Sequence, residues 1–170
     1  MKIKYIEDIN VTDYKETGMF ICFPTCDLKC TREPLNDCNC CQNAELLKEP
    51  DIDVSYDRIL ELYSKGDYHK CLICGGLEPF DSVMDLAELY LNFNEKHPDD
   101  KFIVYTGYAR CELEEMAKYR SVLEATLNIL RRPGSNVIIK YGKYIQVLPP
   151  RYDKTLGVTL ASMNQFAEAY

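Results

Sequence analysis

Lys70–Pro98 reads KCLICGGLEPFDSVMDLAELYLNFNEKHP, and this stretch decides the fold. KCLICGG (Lys70–Gly76) is a short continuous apolar run ended by a glycine pair, the pattern of a strand buried on both faces. DSVMDLAELYLNFNEKHP then reads as a helix, capped by Asp81 or Ser82 and stopped near His97 and Pro98. Met84, Leu86, Leu89 and Leu91 supply its apolar faces. A buried strand feeding a helix is one β-α unit.

The same pattern repeats outward. MFICF (Met19–Phe23) is a second buried-strand run, and SYDRILELYSKGD follows as a helix. In that helix Ser55 is the cap, Ile59, Leu60 and Tyr63 share a face, and Gly66 is the stop. KFIVYTGY is a third strand closed by Gly107, and CELEEMAKYRSVLEATLNILRR is helical by composition, as one long helix or a broken one. NVIIKYGKYIQV is a fourth strand or strand pair, and LGVTLAS a fifth. Strands alternating with helices predict an α/β fold with a mainly parallel sheet, as one domain over residues 1–170. Sites in such folds collect at the carboxyl ends of the strands. The Cys-rich loop 24–43, the glycine pair and Thr106-Gly107 all fall there, so they should face one pocket.

Composition narrows the function classes. The chain has 170 residues, 46% hydrophobic and 28% charged, with net charge −7 and no Lys/Arg-rich run. Nucleic acid and anionic membranes are therefore not the expected partners. The N-terminal MKIKYIEDIN lacks the apolar run of a secretory signal, and no stretch reaches the ~20 apolar residues of a membrane span. The expected location is the cytoplasm.

There, dense cysteines point to metal or catalysis before disulfides. Of nine cysteines, five fall between Cys26 and Asn43 in CDLKCTREPLNDCNCCQN, and an odd total leaves a disulfide framework one thiol over. Cys22, inside the MFICF strand, is expected as a buried thiol, and Cys71, Cys74 and Cys111 as small core residues. His69 and His97 sit beside polar or turn residues and read as surface histidines. Four of Cys26, Cys30, Cys38, Cys40 and Cys41 suffice for a tetrahedral zinc module, although the spacings are not the paired C-x2-C of such sites. In CGGLEPF, Gly75 and Gly76 permit a positive φ or a close ligand approach, and Glu78 can accept from an ammonium group. The bland reading of the same residues is an ordinary β-α turn with a solvated glutamate.

Taken together, a Cys-rich loop after one strand, GGLEP after the next and YTGY after the third resemble the radical S-adenosylmethionine superfamily. Within it the chain is similar to the small activating proteins of anaerobic (class III) ribonucleotide reductases. Cys26-Asp27-Leu28-Lys29-Cys30 matches the first two cysteines of the family's C-x3-C-x2-C motif, and CQN (Cys41–Asn43) its C-[HYQ]-N ending. KFIVYTGY resembles the W-x-Y-T-G-Y strand, YGKYIQ the D-G-x-[FY] segment, and SMNQ the S-x-N-Q segment. Two departures stand out. The family's two-residue spacer is here ten residues and holds Cys38 and Cys40, and GGLEP carries an extra Leu77.

The resemblance implies a partial (incomplete) β/α barrel and a [4Fe–4S] cluster on Cys26, Cys30 and Cys41, with Cys38 and Cys40 as rivals for the third ligand. It implies S-adenosyl-L-methionine bound by Gly75, Gly76 and Glu78, with Asn164 near the nucleoside. Three protein ligands leave one iron for the cofactor's amino and carboxylate groups. The implied activity is reductive cleavage of S-adenosylmethionine and generation of a glycyl radical on a partner, the large subunit of an anaerobic ribonucleotide reductase. A reduced flavodoxin is the implied electron donor. Another glycyl radical enzyme, or a peptide, is the alternative target.

Overall fold

A computed structural model describes residues 1–36, 41 and 43–170. In chain order its elements are β1 (Lys2–Ile3), β2 (Tyr5–Asn10), β3 (Gly18–Cys22), β4 (Ile52–Asp53), α1 (Tyr56–Lys65), β5 (Cys71–Gly75), α2 (Val83–Lys96), β6 (Lys101–Tyr105), α3 (Arg110–Ala117), α4 (Ser121–Leu130), β7 (Val137–Tyr141), β8 (Arg151–Asp153), β9 (Val158–Leu160) and β10 (Phe166–Ala169). The fold is α/β. Its central sheet has the order β10-β7-β6-β5-β3-β2. Neighbours among β3, β5, β6 and β7 pair parallel, while β2 and β10 close the edges antiparallel.

Alternation along the four parallel strands explains their continuous apolar runs. Met19 and Ile21, Leu72 and Cys74, Phe102 and Val104, and Val137, Ile139 and Tyr141 join the buried cluster that contains the apolar residues of α1 to α4. Phe20, Cys22, Cys71, Ile73, Ile103 and Ile138 form a smaller cluster with Tyr14, Leu156 and Leu160. Both faces of each strand are therefore buried, as a parallel sheet requires. Helices supply the cover on one face; the segment around Tyr14 and the β8–β9 hairpin supply it on the other.

Local signals act where the sequence placed them in α1. The Ser55 hydroxyl accepts from the Arg58 amide at 3.2 Å, and Ile59, Leu60 and Tyr63 are the buried residues. In α2 the buried stripe is Leu86, Leu89, Tyr90 and Phe93, the i, i+3, i+4, i+7 set. Met84 and Leu91, expected on the apolar faces, lie off that stripe at 59% and 50% exposure. The long helical segment is two helices, broken between Ala117 and Ser121. The fourth strand is β7 alone, and the fifth pairs with β8 in a separate hairpin and stays out of the main sheet.

Cys22, Cys71 and Cys74 are buried, but Cys111 is exposed because Leu113 takes the inward position of α3. His69 is not a surface residue. Its ring nitrogens meet two backbone carbonyls, Nδ1 at 2.8 Å from Tyr63 and Nε2 at 2.6 Å from Asp8. Gly66 makes room for that ring, since a Cβ there would fall 2.4 Å from it. Among the described residues, no helix is long and apolar enough to cross a membrane.

Candidate functional site

The parallel register levels the strand ends: Cys22 lies opposite Gly75, Cys74 opposite Val104, and Tyr105 opposite Lys140. The loops that leave those ends are stitched together. Phe23 N donates to Gly75 O at 2.9 Å, Glu78 N to Thr25 O at 2.8 Å, and Asn43 Nδ2 to Gly76 O at 2.5 Å. A second seam joins the Cys-rich loop to the segment after β7. Asn36 Nδ2 donates to the Cys30 and Tyr144 carbonyls at 2.9 and 2.8 Å, its Oδ1 accepts from Gln146 N at 2.6 Å, and Lys143 pairs with Glu33 at 2.9 Å.

Between these loops and the face of the sheet turned away from α1 to α4 lies a cavity of about 480 Å³, a size in the usual ligand range of roughly 300–1,000 Å³. Cys26, Cys30 and Cys41 line it, together with Gly76, Glu78, Thr106 and Gly107. The chain thus brings the Cys-rich loop, the residues after β5 and those after β6 to one space. Gly75 and Asn164 are not in its lining. Gly75 is packed in the sheet, where a Cβ would meet the Phe20 ring at 3.1 Å and Tyr105 Cβ at 3.2 Å. Asn164 donates to Lys143 O at 2.9 Å, and its buried Oδ1 has no partner among the described residues. Its neighbour Gln165 faces the cavity instead. Cys38, Cys40 and the Gln42 of CQN lie outside the described residues.

Glu78 is buried, and its carboxyl accepts at both oxygens. Oε1 accepts from the Thr106 hydroxyl at 2.7 Å and from Phe80 N at 3.2 Å. Oε2 accepts from Gly107 N at 2.9 Å and from the Lys29 ammonium at 3.2 Å. Burial pushes this carboxyl up from its ordinary range, against Lys29 and the three neutral donors, which favour the charged form. Because every neighbour donates, the geometry is that of a carboxylate. The bland expectation of a solvated glutamate in a turn is overturned.

Gly76 adopts φ +75°, and a Cβ there would fall 2.3 Å from Cys22 Sγ. Its lack of a side chain is thus a requirement of the turn and of the core beneath it.

A tetrahedral centre with Zn–S bonds of 2.3 Å sets its sulfurs about 3.8 Å apart. Among the described residues, the group of three metal-capable side chains with donor atoms all within 4.8 Å of one another is Cys26, Asp27 and Asp81. Cys26, Cys30 and Cys41 do not form such a group, and the zinc reading also draws on Cys38 and Cys40, which lie outside the described residues. Asp27 and Asp81 already have partners in Arg32 and in the Tyr108 hydroxyl. Burial pushes the Cys26 thiol up to about 11, against the Leu28 amide that donates to it, and raises Cys30 as well. Any metal these thiols took up would displace their protons.

Three lysines missed by the sequence reading complete the lining: Lys29, Lys140 and Lys143. Lys140 is buried on β7, its Nζ donates to Gly142 O at 2.8 Å, and desolvation lowers it to about 8. A lysine inside the apolar run NVIIKY was the available signal. Compared with known proteins, the chain matches no family model, no curated protein and no solved structure.

Proposed function

We propose that this chain is a radical S-adenosylmethionine enzyme that activates a partner protein, and that its sheet is the partial barrel of that superfamily. One observation carries the reading: Cys26, Cys30, Cys41, Gly76 and Glu78, contributed by two loops, line a single cavity beside Thr106 and Gly107. The α-helices α1 to α4 packed on one face of four parallel strands, with the cavity on the other, agree with a barrel left incomplete.

The donor set fits the two groups. Cys26, Cys30 and Cys41 on the cavity wall would hold a [4Fe–4S] cluster, and lysines 29, 140 and 143 would offset the negative charge that thiolates and sulfides bring. The Glu78 carboxylate, already set against an ammonium, would hold the amino group of S-adenosylmethionine. When bound, cluster and cofactor supply an electron and a sulfonium whose cleavage yields a hydrogen-abstracting radical. The chain's own contribution is positional. The seam from Asn36 to Tyr144 and Gln146 fixes the cysteine loop, and Thr106 and Gly107 fix Glu78 relative to Cys30, whose sulfur lies 3.8 Å from a Cβ built at Gly107.

The favoured target is a glycine on a docked protein, an anaerobic ribonucleotide reductase subunit by the motif resemblance, with reduced flavodoxin as donor and the cytoplasm as compartment. The test is anaerobic reconstitution with iron and sulfide, reduction with S-adenosylmethionine present, and chromatography for 5′-deoxyadenosine and methionine. A brown, sulfide-containing protein that forms both products supports the reading. A colourless protein holding one zinc and no sulfide overturns it in favour of the zinc module.

A further inference from the structure

Glu78, Asp27 and the Tyr108 ring surround one point with two carboxylates and an aromatic face, the chemistry of an ammonium site. That point is filled from within the chain. Lys29 Nζ lies 3.2 Å from Glu78 Oε2, 3.1 Å from Asp27 Oδ1 and 3.6 Å from the Tyr108 ring centroid. Its side chain is 12% exposed.

We propose that Lys29 is an internal occupant of a site for a primary ammonium group, and that an amine-bearing ligand must displace it. This rests on the reading that Glu78 holds the cofactor's amino group, and adds a gate to it. The gate sits in the cysteine loop itself, because Lys29 falls between Cys26 and Cys30. Its neighbour Leu28 has φ 54°, a left-handed conformation that residues with a side chain disfavour. Return of that one residue to the right-handed region would re-aim Lys29. Asp27 is the half-exposed wall of the cage, on the side toward which the ammonium can leave. Movement of Cys26 and Cys30 onto iron acts on the same short stretch, so loading the thiols and opening the ammonium site are coupled.

The experiment uses the full chain, free of iron and after reconstitution, with S-adenosylmethionine and its des-amino analogue as probes in calorimetry. In the iron-free protein, Lys29→Met should bind S-adenosylmethionine about tenfold more tightly than the unaltered chain, since a charge-assisted contact no longer competes. Lys29→Arg, which keeps a cation in the cage, should stay weak, and the des-amino analogue should bind all three alike. Acetylation mapped by mass spectrometry should find Lys29 shielded until S-adenosylmethionine is added. Equal affinities in the unaltered chain and a folded Lys29→Met, or a Lys29 that stays shielded in the complex, overturn the gate while sparing the enzyme reading. If no form binds S-adenosylmethionine, the enzyme reading fails, and n-propylammonium decides the occupant on its own. It should raise the melting temperature of Lys29→Ala but not of Lys29→Ala/Glu78→Gln; no rise in either overturns the proposal.

Discussion

The Thr106 hydroxyl donates to Glu78 Oε1 at 2.7 Å and accepts from Tyr108 N at 3.0 Å, so its proton is committed to the carboxylate. Thr106→Val keeps the shape and removes a donor from a buried charge. The expected loss is about 1–3 kcal/mol of unfolding free energy, while Thr106→Ser should lose much less. Glu78→Gln should cost about 3 kcal/mol or more, because it leaves Lys29 without its buried partner and turns an amide against donors. Urea unfolding monitored by circular dichroism measures all three. A neutral Thr106→Val would show that the hydroxyl bond contributes nothing.

Gly76 and Cys22 should be energetically coupled. Gly76→Ala places a methyl where Cys22 Sγ stands, at a φ that side chains avoid, and should destabilise by about 2 kcal/mol or more. In a Cys22→Ala background the sulfur is gone and part of that penalty should vanish. A double-mutant cycle reads the difference. Additivity would mean that backbone strain alone makes the glycine necessary.

Cys26→Ala, Cys30→Ala and Cys41→Ala should each abolish the visible absorbance of an iron–sulfur cluster in the reconstituted protein, while Cys22→Ala and Cys74→Ala should keep it and lose stability. The former three line the cavity; the latter two lie in the sheet core. Cys38→Ala and Cys40→Ala decide the third ligand: retention of the cluster in both assigns it to Cys41.

Lys140 gives a pH signature. Desolvation lowers its folded pKa to about 8, despite Glu78, Cys30 and Asp13, which act in the opposite sense. Between that value and the ordinary lysine range near 10.4 the unfolded chain binds more protons, so stability rises with pH. The unfolding free energy of the iron-free protein minus that of Lys140→Met should therefore climb from about pH 8 to about pH 10. A flat difference would mean that the ammonium is solvated after all.

The four parallel strands and the helices α1 and α2 were legible because burial on both faces writes a continuous apolar run, and Ser55, Gly66, Gly76 and Gly107 mark the ends. The edge strands were not. YIEDIN (Tyr5–Asn10) is largely exposed and carries no such run, and β10 is half-buried from Phe166 to Glu168 and exposed at Ala169. His69 was misjudged because its partners are carbonyls of Tyr63 and Asp8, which leave no trace in side-chain identity. At the candidate site, the residue types and strand ends were readable, but the ion pair of Lys29 with Glu78 spans 49 positions and arises from tertiary packing. Gly75 and Asn164 were drawn in by neighbouring motif letters, whereas Gly76 and Gln165 are the ones that face the cavity.

The bond from Gln146 N to Asn36 Oδ1 joins positions 110 residues apart. During synthesis the cysteine loop emerges early, yet the groups that clamp it leave the ribosome only after β7. For that interval the loop is held by its bonds to Gly75, Gly76 and Glu78 and lacks the second seam. The loop therefore reaches its full set of contacts only once residues 143–146 have been made.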